Sequence, residues 1–241
     1  STSAPAAAFG SANAGLFKKA DVSLQTAEDV EAIAKAMKAQ PLSKLHLYGA
    51  AVDCDETPTI SEAAAEALQN ALKEHGKSLK IIKLVGHRFE SDAAMSAVMT
   101  GLQAAKGLEE LDLTNSSLGA HGKLALGRLI SMLSMDGPAA LHTLLLEDCE
   151  LEEEGCLAVA KIVTALPKLK ELDLRNNEMD ADTVVALASS LAGKTDLIKV
   201  YVDEDEDLDL EPLEKALAAM GKESALIIGD EEDVSEEEGE E

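Results

Sequence analysis

Residues 108–118 read LEELDLTNSSL, and the same line of text returns along the chain. It appears as LSKLHLYGAAV at 42–52, LKIIKLVGHRF at 79–89, LHTLLLEDCEL at 141–151, LKELDLRNNEM at 169–179 and, degraded, LIKVYVDEDED at 197–207. The apolar anchors keep their columns: Leu45 and Leu47, Ile82 and Leu84, Leu111 and Leu113, Leu144 and Leu146, Leu172 and Leu174, Val200 and Val202. From Leu47 through Leu84, Leu113, Leu146 and Leu174 to Val202 the steps are 37, 29, 33, 28 and 28 residues. An internal period of this size decides the architecture before any single residue is weighed, because each unit buries its apolar face only against its neighbours.

A period near 28 leaves room for a full helix on the return path of a leucine-rich repeat. Spacings of three and four put Gly122, Ala125, Leu126, Leu129 and Ile130 on one helix side, and Gly155, Ala158, Val159, Ile162 and Val163 on another. Small residues at Ala64, Ala93, Gly122 and Gly155 let helix and strand approach closely. The pattern predicts strands near 45–48, 82–85, 111–114, 144–147, 172–175 and 199–202. Helices follow near 60–74, 91–105, 120–134, 152–165, 180–192 and 210–220. An earlier unit caps the array, with Val22 and Leu24 ahead of Thr26 as helix N-cap and two acids in the first turn. The fold class is therefore α/β: a leucine-rich repeat solenoid, or horseshoe, with parallel strands on the concave face and helices on the convex face. The expected division is a flexible segment at 1–20, the repeat domain at 21–229 and a disordered acidic tail at 230–241.

Two insertions break the period, at 53–59 (DCDETPT) and around Met135–Pro138. Both fall at loops, where added length costs little and either drift or a binding rim explains it.

Composition narrows the function classes. The 241 residues include no Trp, two Tyr and three Phe, so the core is aliphatic. No apolar run approaches the ~18 residues of a membrane span, and no basic, apolar leader opens the chain. Cys54, Cys149 and Cys156 form neither a metal pattern nor a disulfide framework, which suits a reducing compartment, cytosol or nucleus. The expected location is cytoplasmic, with the nuclear periphery or the cytoskeleton as alternatives. Cys149 shares the column of Asn177, where a small residue tucks under the loop. The net charge of −25 argues against a nucleic-acid partner and suits a basic protein partner; no membrane partner is expected. Residues 230–241 carry nine acidic side chains and no cation, and a second run spans Asp203–Asp207. Solubility and attraction of a basic partner both account for such runs. Ser235 ahead of three Glu has the look of an acidophilic-kinase site.

No phosphate loop or nucleophile elbow appears, and the five histidines (His46, His75, His87, His121, His142) show no metal spacing. They read as surface or capping residues. No catalytic residue, metal or cofactor is expected. Strand alternation leaves the concave columns as the working surface. The candidate partner-binding residues are His46, Tyr48, Lys83, Val85, Asp112, Thr114, Leu145, Glu147, Asp173, Arg175, Tyr201 and Asp203, with Ile81 beside them. Apolar and aromatic groups set among charges are what a protein interface offers.

From Val22 to about Met220 the units resemble the ribonuclease-inhibitor type of leucine-rich repeat. Within it, the opening unit VSLQTAEDVEAIAKAMKAQPLSKLHLYGAAV, the acidic last repeat DEDEDLDLEPLEKAL and the Glu/Asp tail resemble the Ran GTPase-activating proteins, in a shortened array. That resemblance implies a small-GTPase partner and an activating loop bearing an asparagine, with no arginine finger. The family loop carries two adjacent Asn. Asn115 matches the first, and Ser116 stands in place of the second. Asn176 and Asn177 form such a pair in a later unit, where Asn177 holds the structural column. The reading that follows is a non-enzymatic protein-binding scaffold, with a Ran-type GTPase activator and a structural subunit of a cytoskeletal or ciliary assembly as alternatives.

Overall fold

In a computed structural model, residues 15–19, 24–49, 58–119 and 140–229 are described. The repeated anchors build one parallel sheet from β1 (Leu16–Lys19), β2 (Lys44–Tyr48), β4 (Ile81–Val85), β6 (Glu110–Asp112), β7 (Thr143–Leu145), β8 (Glu171–Asp173), β9 (Lys199–Val202) and β10 (Leu226–Ile228). They stand in that order, strand beside strand. Leu45, Ile82, Leu111, Leu144, Leu172 and Val200 pair in register across neighbouring strands. All six are 0 % exposed, so the anchor column is a continuous internal seam of the core. Two short strands, β3 (Thr59–Ile60) and β5 (Arg88–Phe89), make a small parallel pair on the return path.

The return helices are α1 (Ala27–Ala39), α2 (Glu62–His75), α3 (Asp92–Leu102), α4 (Glu152–Thr164), α5 (Ala181–Leu191) and α6 (Glu211–Ala218). Several start where a short polar side chain satisfies a free amide. Thr26 and Asp29 form a reciprocal capping box, while Ser61, Ser91 and Asp180 accept from Ala64, Ala94 and Thr183. Each helix lays an apolar stripe on the sheet, as Val30, Ile33 and Met37 do in α1. The close-packing column falls at Ala64, Ala94 and Gly155, all buried; Ala93, expected there, is one residue off and exposed. The predicted helix at 120–134, both insertions apart from Pro58 and Thr59, and the acidic tail lie outside the described residues.

The sheet also begins earlier than the expected boundary at residue 21. Leu16–Lys19 forms a strand beside β2, with Phe17 opposite Leu45 and packed against the core. The amides of Ser43 and Lys44 both donate to Gly15 O, at 2.8 and 3.0 Å. A further strand, β10, covers β9 at the other end. Val22 lies outside the described residues, and Leu24 is buried ahead of α1.

Tight stacking beyond the strand ends requires glycine, at Gly119 against the Glu150 carbonyl and at Gly49. A Cβ on Gly49 would overlap the Gly86 carbonyl, so the backbones of the first two units meet directly.

Candidate functional site

The outward residues of the sheet form rows that run across the strands. Lys18, His46, Lys83, Asp112, Leu145, Asp173 and Tyr201 stand side by side in one row. Lys44, Ile81, Glu110, Thr143, Glu171 and Lys199 make the next. Tyr48 pairs with Val85 at the C-terminal rim. The columns expected to face outward thus run as rows across the sheet, and burial differs from residue to residue along them.

Strands β6, β7 and β8 stop at Asp112, Leu145 and Asp173, so Thr114, Glu147 and Arg175 lie in the turns that follow. In two units the cause is the aspartate at the strand end. Asp112 Oδ1 accepts from the Thr114 amide, and Asp173 Oδ1 from the Arg175 amide, each at 3.1 Å. A side chain that bonds its own backbone two residues on replaces a ladder bond with a turn. Both aspartates are consequently almost buried, at 6 % and 5 % exposure, rather than open to a partner.

Tyr201 is a second correction. At 8 % exposure it is no free aromatic anchor. Arg175 lies over its ring at 4.8 Å, Lys199 Nζ lies 5.2 Å from the ring centroid, and the same Nζ donates to its hydroxyl at 2.7 Å. Arg175 also pairs with Asp173 at 2.7 Å and Glu147 at 3.5 Å. What this half of the face presents is a guanidinium fixed from below by a carboxylate and an aromatic ring. Asn176 extends the network to the rim, donating from its amide to Asp203 at 2.7 Å and from its side chain to Glu147 at 3.3 Å.

The N-terminal half has a different chemistry. Lys83 pairs with Glu110 at 2.5 Å and Asp112 at 3.4 Å. Burial opposes its charge, but these carboxylates outweigh it and hold the pKa above the usual lysine value. His46 packs edge-on to Tyr48 at 6.2 Å, and Lys18 Nζ sits 5.3 Å from the Tyr48 ring centroid. Burial first, and then the neighbouring lysines Lys83, Lys44 and Lys18, push the His46 pKa down, with Glu110 opposing. Tyr48, Val85 and Leu145 are half-buried.

The loops after the strands resolve the asparagine question. Asn115, Asp148 and Asn176 occupy equivalent positions with φ of 55°, 50° and 55°, and Gly86 takes the place at 71°. Asn and Asp tolerate this left-handed backbone better than other non-glycine residues, which is a local reason for Asn115. One residue on runs a ladder of short polar groups. Ser116 Oγ donates to Leu84 O at 2.8 Å, Cys149 Sγ to Leu113 O at 3.1 Å and Asn177 Nδ2 to Leu146 O at 2.8 Å. Asn177 is thus structural, and Cys149 is the small buried residue its column implied. Burial pushes both buried thiols up, Cys156 to about 12.

His87 belongs to this same ladder column, three residues after Leu84, and is 0 % exposed. The expectation of surface or capping histidines is corrected here. Among the described residues neither His87 ring nitrogen has a partner in good hydrogen-bond geometry, and burial lowers its pKa to about 4, with only the nearby Val85 backbone opposing. Aligning the repeat columns would have marked it as internal. Histidines 46, 75 and 142 are partly exposed, and His121 lies outside the described residues. Among the described residues no three His, Cys, Asp or Glu side chains gather as metal ligands, and no helix is long and apolar enough to cross a membrane.

Known proteins carry the same repeat. The chain is 30 % identical over 127 residues to Ran GTPase-activating protein 1 of Saccharomyces cerevisiae, covering 52 % of this chain and 30 % of that protein. It is 31 % identical over 133 residues to the ribonuclease inhibitor of Mus musculus, covering 55 % of this chain and 28 % of that protein. The repeat is of the ribonuclease-inhibitor type. With parallel strands inside and helices outside, the molecule is a leucine-rich repeat horseshoe. The matched part spans less than a third of those relatives. No family model matches the chain. Among solved structures it is similar to leiomodin-1 actin-binding site 2, with a TM-score of 0.41 at 16 % identity, covering 81 % of this chain and 89 % of that one.

Proposed function

We propose that this chain is a protein-binding module that holds a partner against its concave strands and performs no chemistry itself. One observation carries the reading. A single rigid sheet presents half-buried Tyr48, Val85 and Leu145 between a cationic corner at Lys18 and Lys44 and a fixed Arg175–Glu147 pair. Preorganised aromatic and guanidinium groups lose little freedom on binding, which is why such groups dominate interface energies. The repeat domain at 21–229, extended to include β1, would form the binding body, in a cytoplasmic setting. The acidic runs would raise the rate of encounter with a basic partner.

The test is capture of partners by the tagged chain at low and high salt, beside Leu145→Asp and Tyr48→Ala variants. A stoichiometric partner retained by the native chain and lost by both variants supports the reading. Retention by both variants refutes the concave assignment.

A second reading is a regulator of a Ran-like small GTPase. The yeast relative favours it, together with Asn115 on the concave rim in the turn after β6. In that reading Asn115 would help order the GTPase's own machinery. Single-turnover GTP hydrolysis with and without the chain decides it. Stimulation lost in Asn115→Ala, with Asn115→Asp used to separate turn geometry from side-chain chemistry, would replace the scaffold reading.

A further inference from the structure

The turns that lead into the strands form the rim opposite Tyr48, and they carry a row of their own. Ser43, Lys80, Glu109, His142, Lys170 and Ile198 stand side by side, each amide after the first donating to the preceding residue of the row at 2.7–2.9 Å. Where the row reaches β8 and β9 the surface is cationic, in a chain of net charge −25. Lys168 and Lys170 are exposed, and neither forms an ion pair with a carboxylate of the described residues. In the next turn Lys194 is buried, its ammonium donating to Leu166 O at 2.9 Å with no carboxylate of the described residues paired to it, and burial lowers its pKa. Lys222 Nζ donates to Leu197 O at 2.6 Å. Beside Lys170 in the row, Ile198 is 59 % exposed, the most open large apolar side chain among the described residues.

The helix dipole does not account for these cations. Lys168 and Lys170 stand four and six residues past Thr164, where α4 ends, beyond the last turn in which that field acts. The acids nearby are few. Asp196 and Glu223 are exposed in the same turns, and Glu171 stands opposite Lys199 on the concave face. The acidic rim lies farther off. Asp203 is five residues on from Ile198, roughly 16 Å along the strand at ~3.3 Å per residue. That is about twice the ~8 Å over which charges act at physiological salt. An approaching carboxylate therefore meets the lysines of this rim before the repulsion of the other. It would also offset the desolvation of the Lys194 ammonium.

We propose that the rim at Lys168, Lys170 and Ile198, with Lys194 behind it, docks an acidic protein segment that carries an apolar side chain. The lysines meet the carboxylates and Ile198 takes the apolar group. This surface is separate from the concave strands and does not rest on their reading.

The probe is a fluorescently labelled peptide, EELEELEE, read by anisotropy in roughly 0.15 M salt, where the distant acids are screened. The expected result is saturable binding, weakened at least about tenfold in a chain carrying K168E and K170E. Ile198→Asp should weaken it by at least about fivefold, through lost apolar contact and added repulsion. All three positions are exposed, so thermal midpoints should stay near native. Leu145→Asp on the concave face and Lys18→Glu at the far end of the sheet should leave the affinity unchanged. Equal affinity in the rim variants, equally tight binding of QQLQQLQQ, or no saturable binding at up to about 1 mM chain would overturn the proposal. A loss in Leu145→Asp matching that in the rim variants would overturn it by placing the peptide on the concave face. Self-association that Ile198→Asp abolishes, without peptide binding, would overturn it in favour of a second copy on this rim.

Discussion

Two adjacent asparagines, Asn176 and Asn177, should respond to alanine in opposite ways. Asn177 Oδ1 accepts from the amides of Cys149 and Leu151 at 3.1 and 3.2 Å. Its Nδ2 donates to the carbonyls of Leu146, Leu174 and Arg175 at 2.8, 3.0 and 2.9 Å. Asn177→Ala strands two buried amides that have no other described acceptor. An orphaned buried donor costs ~1–3 kcal/mol, so the pair costs about 4 kcal/mol. Asn176 is exposed and bonds at the rim, so Asn176→Ala loses part of a surface network and some left-handed preference, about 1 kcal/mol. Urea melts with m of ~2 kcal/mol/M would place the Asn177→Ala midpoint about 2 M below native and that of Asn176→Ala within about 0.5 M. Solenoids unfold in sections, so amide exchange at Cys149 and Leu151 gives the local measure. Protection there should drop by roughly a thousandfold in Asn177→Ala and hardly move in Asn176→Ala. Equal melts for the two variants would refute the ladder argument, and Asn177 would have to be read as a surface residue.

Other outcomes follow from the same structure. Leu113→Ala opens a cavity at a 0 % exposed anchor and should cost ~2–5 kcal/mol in a denaturant melt; a negligible change would mean the register is wrong. His87 is held near pKa 4 when folded and returns to ~6.5 when unfolded, so the unfolded chain takes up its proton first. Its stabilising contribution is complete above about pH 6.5 and is lost as pH falls toward 4, by about 3 kcal/mol, and His87→Ser should flatten that part of the pH–stability profile. Tyr201→Asp should lower the thermal midpoint, because the ring supports Arg175 and Lys199. Leu145→Asp, at a half-buried surface position, should leave the midpoint nearly unchanged.

The anchor columns were legible because they repeat. Leu111 and Leu113 could be placed inside from their spacing alone, since a parallel stack imposes the same burial on every unit. The column of Cys149 and Asn177 was legible for the same reason, and Thr26 announced the first helix through its cap. His87 stands in that column and is buried with it, although histidine as a residue type favours the surface, and the close-packing position is Ala94 rather than Ala93. Leu16–Lys19 looked flexible because one strand carries too little period to be recognised; its order comes from the open edge of β2, which the sequence does not display.

The sequence by itself determined the repeat, its α/β alternation and the aliphatic core, because those depend on local periodicity and on burial shared by every unit. Tertiary structure alone decided how exposed each outward residue of the sheet is. Asp112 and Asp173 turn inward to their own backbone, and Arg175 and Lys199 cover Tyr201. The Arg175–Tyr201 contact joins side chains of neighbouring units, 26 positions apart in the sequence, while the two aspartates choose between a strand ladder and a turn only two residues on, a competition that no spacing rule encodes.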